Sequence, residues 1–427
     1  MGIPVLPRDN TVPPPAPSPV ASTALADLLT SRPVRDCMTW FQREKKWINE
    51  RHLEICRIAA PTFFEQKRAE WAAEVFRVLG WDVQIDKSGN VVAFSNSARQ
   101  APYLAVTAHL DTVLSPRNLE DVYVSPDGSF HGPGVSDNGA GLAALIAIAA
   151  AWKACIKPDS GPSLLLVANV GEEGEGNLSG MRYLCTQSPL GRKIRNFIVL
   201  DGPNTDHITC QALASRRFDV GISGPGGHSW SDYGIGNPVH ALSRAITLFN
   251  DQCPPSDGPR HSYNFGVVEG GSSVNSIPAS ARAKVDIRSE NGGKIAELAG
   301  LLTSCVERAV ETENQRSTGG KISAKIKELG ARPAGQLPED AALLAAIRAV
   351  DAHLGIRAHL DCASTDANIP LSLGIPAVSI GAGGQGGGAH TPSEWFHPEG
   401  REFGLQRILL SISLLRSEHF QLAGPRE

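Results

Sequence analysis

The chain has 427 residues, 41% of them hydrophobic, and a formal net charge of -4 from 40 Lys+Arg against 44 Asp+Glu. That length allows two or three domains with sizeable cores. The mildly acidic balance excludes a basic field that tracks phosphates, so nucleic acid is not an expected partner, and small molecules or peptides are.

Residues 1–22, MGIPVLPRDNTVPPPAPSPVAS, are rich in Pro and Ser and read as a flexible arm. They lack the basic start and apolar stretch of a secretory signal, and no apolar run in the chain is long enough to span a bilayer. A cytoplasmic location without a membrane partner is the expectation. The Met-Gly start is not followed by Ser or Thr at the sixth position, which gives myristoylation little support. The 8 cysteines are scattered, without a CxxC pair or zinc-finger spacing, and read as reduced, mostly buried thiols.

From Ala24 to about Leu79, apolar spacings such as Trp40, Ile48, Ile55 and Phe63, Trp71, Val75 predict helices interrupted near Pro61. A strand-like segment, Val83 to Phe94, follows with SGN as its turn. The short apolar strand Tyr103 to Thr107 ends in AHLDT. The run Gly139 to Trp152, GAGLAALIAIAAAW, reads as an apolar helix opened by SDNGAG, whose glycines permit tight packing against a sheet. Strands at Leu164 to Val170 and Phe197 to Leu200 end in GEEGEG and DGP, and a last one, Ala377 to Ile380, runs into GAGGQGGGAH. Such alternation predicts an α/β domain with a mostly parallel sheet and flanking helices.

Between residues 212 and 327 the pattern changes. Strand Arg217 to Ser223, helix Pro238 to Asp251, strands around Tyr263 to Val268 and Ala281 to Arg288, helix Gly293 to Glu311 and strand Lys321 to Lys327 spell β-α-β-β-α-β, a ferredoxin-like α+β unit. The simplest architecture is a catalytic domain of residues 23–211 and 328–427, interrupted by an inserted domain of residues 212–327.

Five positions, His109, Asp137, Glu173, Asp201 and His390, are each read as falling just past an apolar strand, where loops of an α/β fold converge on one crevice. Singly each has a plain explanation: a core or surface histidine, a helix N-cap at Asp137, a solvated acidic turn at Glu172-Glu173, a turn at Asp201, a loop histidine at His390. Together, three carboxylates and two imidazoles on one rim call for a cationic centre, and two divalent metal ions supply it. Asp111, two residues beyond His109, is placed to brace the His109 ring, and Glu172 is placed to act as general base on a water while Glu173 ligates metal.

The loop Gly381 to Gly386 matches GxGxxG, but GGAHTPSEW follows it and not a helix, so a dinucleotide site is disfavoured. Neither a GK[ST] phosphate loop nor a GxSxG nucleophile elbow occurs.

From about residue 45 onward the AHLD, SDNGAG, GEEGEG, VLDG and GGAHTPSEW segments occur in the order found in the dinuclear-zinc family of peptidase T, carboxypeptidase G, acetylornithine deacetylase and aminoacylase-1, which the chain resembles. The resemblance implies a zinc exopeptidase-like catalytic domain holding two Zn2+ ions, with Co2+ or Mn2+ as substitutes. His109 and Asp201 would hold one ion, Glu173 and His390 the other, and Asp137 both, with Asp111 and Glu172 as the catalytic pair. In the inserted domain, GPGGHSW implies that His228 reaches across a homodimer interface to an oxyanion. GGSSVNSIP and KVDIRS place Asn275 and Arg288 where relatives contact the substrate carbonyl and carboxylate. The inserted unit would then be a dimerisation or lid domain.

Relatives that act as aminopeptidases tend to carry Asp at the position of Asp201, so VLDG resembles the peptidase T branch. The pair Asp137-Asn138 departs from the Asp-Asp of many relatives. An aminopeptidase acting on small peptides is the expectation. The alternatives are an N-acyl-amino-acid amidohydrolase or carboxypeptidase on the same site, or a non-catalytic binding protein that kept the fold.

Overall fold

The computed structural model describes residues 18–95, 99, 101–156, 162–253 and 259–417. The chain divides into two compact units, one of residues 1–211 and 336–427 and the other of residues 212–335.

The first unit is built on a mixed sheet. Its centre holds the parallel strands Ser163–Asn169, Tyr103–His109, Ile194–Leu200 and Ala377–Ile380, adjacent in that order. Antiparallel strands extend both sides, Val91–Phe94 beyond Ser163–Asn169 and His207–Ala212 beyond Ala377–Ile380. Every residue of Tyr103–His109 and Ala377–Ile380 is buried, as expected for strands covered on both faces.

The helix Gly139–Cys155 is buried from Gly139 to Trp152, which explains why its sequence shows no polar face. Its first turn has no room for side chains: a Cβ at Gly139 would lie 2.4 Å from Cys56 Sγ, and one at Gly141 2.2 Å from Asn138 Oδ1 and 2.8 Å from the Leu200 carbonyl.

The arm expected over residues 1–22 is corrected at its end. Residues 1–17 lie outside the described residues, but Pro19–Thr30 is a helix that buries Ala21, Ala24 and Leu25. Pro19 stands in the first turn, where a missing N–H costs nothing, so a proline at that position suits a helix start.

The second unit has the predicted β-α-β-β-α-β order. Its antiparallel sheet runs His261–Gly270, Ser280–Ser289, Ala214–Ser223, Ser323–Arg332, and helices Pro238–Gln252 and Gly292–Arg316 pack on one face. The last strand continues five residues past Lys327 because a bulge at Glu328/Gly330 absorbs the break in alternation.

All eight cysteines are free thiols and six are buried. Among the described residues no helix is long and apolar enough to cross a membrane.

Candidate metal centre

Three of the five proposed ligands lie at or within four residues of the end of a sheet strand. His109 is the last residue of Tyr103–His109, Glu173 lies four residues past Ser163–Asn169, and Asp201 follows Ile194–Leu200. The other two correct the expectation that all five sit at strand ends. Asp137 enters from the loop before the Gly139–Cys155 helix, and His390 lies ten residues beyond Ala377–Ile380, past the short strand Gln385–Gly387.

The fold nevertheless brings all five together. Ligand atoms of His109, Asp137 and Asp201 lie within 4.8 Å of one another, as do those of Asp137, Glu173 and His390, and those of His109, Glu172 and Glu173. His109 Nε2 is 3.1 Å from Asp137 Oδ1 and 3.9 Å from Asp201. His390 Nε2 is 3.0 Å from Asp137 Oδ2 and 2.8 Å from Glu173 Oε1. Asp137 thus turns one oxygen to each histidine. The cluster is compatible with a dinuclear metal site.

The electrostatics show what the donor set lacks. Burial, reinforced by Asp137, Asp366 and Glu173, pushes Asp201 up to about 7, despite the opposing pull of His109. Hydrogen bonds to Asp137 and Glu173 raise His390 to about 10. Burial opposes a charged His109, but Asp111 and Asp137 outweigh it and hold that ring well above its ordinary range. Negative charge concentrated to this degree is compatible with bound cations, and an all-oxygen-and-nitrogen donor set fits zinc, cobalt or manganese.

Two plain readings fail on geometry. The N-cap of Gly139–Cys155 is Asn138, whose Oδ1 accepts the Gly141 N–H at 3.1 Å, so Asp137 is released from capping. Glu172 and Glu173 are only 5% and 6% exposed, which is not a solvated turn. Asn138 also accepts the Gly202 N–H at 3.3 Å and donates to the Leu200 carbonyl at 2.8 Å, tying the Asp137 loop to the Asp201 loop. We expect Gly141→Ala to destabilise the protein by about 1–3 kcal/mol, because the added carbon overpacks against this tie. Urea unfolding checks it; a stabilised variant, as at an exposed helical glycine, would contradict the packing.

Asp111 does more than the sequence indicated. His109 Nδ1 lies 3.0 Å from the Asp111 backbone carbonyl and 3.5 Å from its carboxylate. That carboxylate accepts the N–H groups of Glu172 at 3.0 Å and Glu173 at 2.9 Å, and the Thr62 hydroxyl at 3.0 Å. One buried side chain therefore sets both the histidine strand and the acidic loop.

Sequence reasoning missed several buried groups around the centre. Glu394 accepts N–H groups from the Asp137 loop. Asp366, fully buried in STDA between a strand and a short helix, accepts from Asn169 Nδ2 at 2.7 Å. The available signal was an acid set among small and apolar residues near a proposed ligand.

In the second unit, Gly227–His228 pairs with Ser276–Ile277, and the Ser229 N–H donates to the Asn275 carbonyl at 2.9 Å. His228 Nδ1 accepts the N–H groups of Trp230 at 3.2 Å and Ser231 at 3.4 Å, which leaves Nε2 as the donating nitrogen of the ring. Arg288 lies on Ser280–Ser289 with its Nε 2.7 Å from Asp286.

The model of peptidase family M20/M25/M40 matches residues 105–412. The chain belongs to this family. A probable carboxypeptidase of Uncinocarpus reesii is 29% identical over 245 residues, 52% of this chain and 53% of that protein. The chain thus spans about half the length of that curated relative. Among solved structures, a tripeptidase from Staphylococcus aureus superposes with TM-score 0.72 at 22% identity, covering 87% of this chain and 98% of that one. An aminopeptidase from Bacillus cereus superposes with TM-score 0.70 at 19% identity over the same shares. At these identities the likeness carries the family's fold.

Proposed function

We propose that this family member is a metal-dependent hydrolase that cleaves a peptide or amide bond of small peptides, most specifically as an aminopeptidase. The observation that carries the reading is a pair of three-residue ligand clusters sharing Asp137, with Glu172 beside them. His109 and Asp201 would hold one zinc ion, Glu173 and His390 the other, and Asp137 both. The ions, when bound, supply the Lewis acidity that makes a water acidic near neutral pH and polarises a carbonyl.

The chain's own groups perform the proton work. Glu172 takes a proton from the attacking water as the new C–O bond forms, and returns it to the amine nitrogen as the C–N bond breaks. Asp111 fixes the backbone from which Glu172 projects. With Nδ1 engaged as an acceptor, His228 would present its Nε2–H to a developing oxyanion. In a homodimer built through the second unit, the partner subunit's His228 would make that contact. Asn275 and Arg288 would meet the substrate carbonyl and carboxylate.

Asp201 supports removal of the first residue, and the chain shares its fold with a solved aminopeptidase. A second reading, carboxypeptidase or N-acyl-amino-acid amidohydrolase, draws support from the probable carboxypeptidase relative. A chelator should abolish hydrolysis and zinc or cobalt should restore it. With the reloaded protein, a free-amine tripeptide library beside its N-acetylated copy, read by product mass, decides between the two. Release of the first residue from free-amine peptides only is the expected result; cleavage of the acetylated set favours the second reading, and no turnover of either sinks both.

A further inference from the structure

The loop Gly134–Asp137 exposes peptide groups on two sides, and buried side chains meet both. On one side the Glu394 carboxylate accepts the N–H groups of Gly134, Ser136 and Asp137, each at 2.8 Å. On the other, His52 Nε2 donates to the Val135 carbonyl at 2.7 Å, and the Cys56 thiol donates to the Gly134 carbonyl at 3.4 Å. His52 Nδ1 accepts from Arg401 Nη2 at 2.5 Å, while Arg401 Nη1 donates to Asn49 at 2.9 Å. The ring is therefore a neutral relay between the guanidinium and the loop.

Glu394 is 3% exposed and Arg401 is 5% exposed, and among the described residues neither forms an ion pair. A buried charge without a direct counterion is costly unless oriented dipoles meet it. Here the dipoles are the peptide groups of the loop, held with N–H ends toward the carboxylate and a carbonyl end toward the arginine relay.

We propose that Glu394, and Arg401 acting through His52, are positioning residues that clamp the Asp137 backbone so that its two oxygens face the two ligand clusters. The proposal rests on the dinuclear reading of the site. Both residues belong to the segment after the insertion, whereas the loop precedes it, so docking of the later segment sets the shared carboxylate. Neither residue is in either cluster.

The test is Glu394→Gln, a same-shape change that turns an NH2 group against a backbone N–H. Metal stoichiometry and affinity are titrated against a chromogenic chelator, and amide exchange of residues 134–137 is followed in metal-free protein. We expect metal affinity to fall by about 10–100-fold, exchange across the loop to quicken, and kcat to drop with KM nearly unchanged. A merely structural role would lower the unfolding midpoint and leave affinity and exchange in the folded protein as in the parent, and that result overturns the proposal. Should Glu394→Gln fail to fold, Arg401→Met carries the test, with a smaller loss of affinity expected and unchanged affinity as the contrary outcome. A parent chain that binds no metal in the same titration overturns the dinuclear reading itself, and this proposal with it.

Discussion

Glu172→Gln is expected to lower kcat by about 10²–10⁴-fold, the usual contribution of a positioned general acid or base, while the protein still binds two metal ions. The backbone of Glu172 is fixed by Asp111, which the substitution leaves untouched. Two of the three ligand clusters contain no atom of Glu172, so metal retention follows from their integrity. Metal analysis beside single-turnover hydrolysis makes the check. An active variant removes Glu172 from the chemistry; an inactive variant without metal makes Glu172 a ligand instead.

Asp137→Ala attacks the centre at its shared point. Both the His109–Asp201 and Glu173–His390 groups lose a member, so we expect metal content to fall from two ions to one or none and hydrolysis to be abolished. The same change should be visible without metal. Asp137 and Glu173 raise the His390 imidazolium to about 10, so removing Asp137 should bring its titration down, as read by NMR of the ring. The sign for stability follows: a raised imidazole pKa stabilises the metal-free fold fully below the ordinary histidine range, and that contribution is lost as pH climbs through about 10. Metal requires the neutral ring, so affinity should rise with pH over the same window. A variant that keeps two ions would show that Asp137 is not shared.

Much of this was legible in the sequence because it resides in periodicity and in punctuation. Apolar runs ending in His109, GEEGEG and VLDG mark strands whose ends carry chemistry, and the β-α-β-β-α-β pattern marks the second unit before any coordinate is known. The structure brings Asp137 and His390 close to the others, but not by the route that spacing suggests, since neither sits at a sheet-strand end. Their loops are shaped by contacts far away in sequence, and spacing carries no trace of those. The same limit hid Glu394 and Arg401, whose partners Asp137 and His52 lie 257 and 349 positions away, and gave Asp111 too small a task. Of the Pro-rich opening only the last few residues are described, and there Pro19 stands in the first turn of a helix, a place that proline marks as well as it marks an arm.

Glu173 and His390 are separated by 217 residues. At ordinary translation rates that interval takes about 10 to 40 s. During it the ribosome has delivered Asp137, Glu172, Glu173 and Asp201 but not the histidine that completes the second cluster, and the whole intervening unit has time to fold. A nascent chain arrested before residue 390 should therefore bind metal with at most the first cluster's stoichiometry, and metal capture becomes a clock for the return of the chain to its first domain.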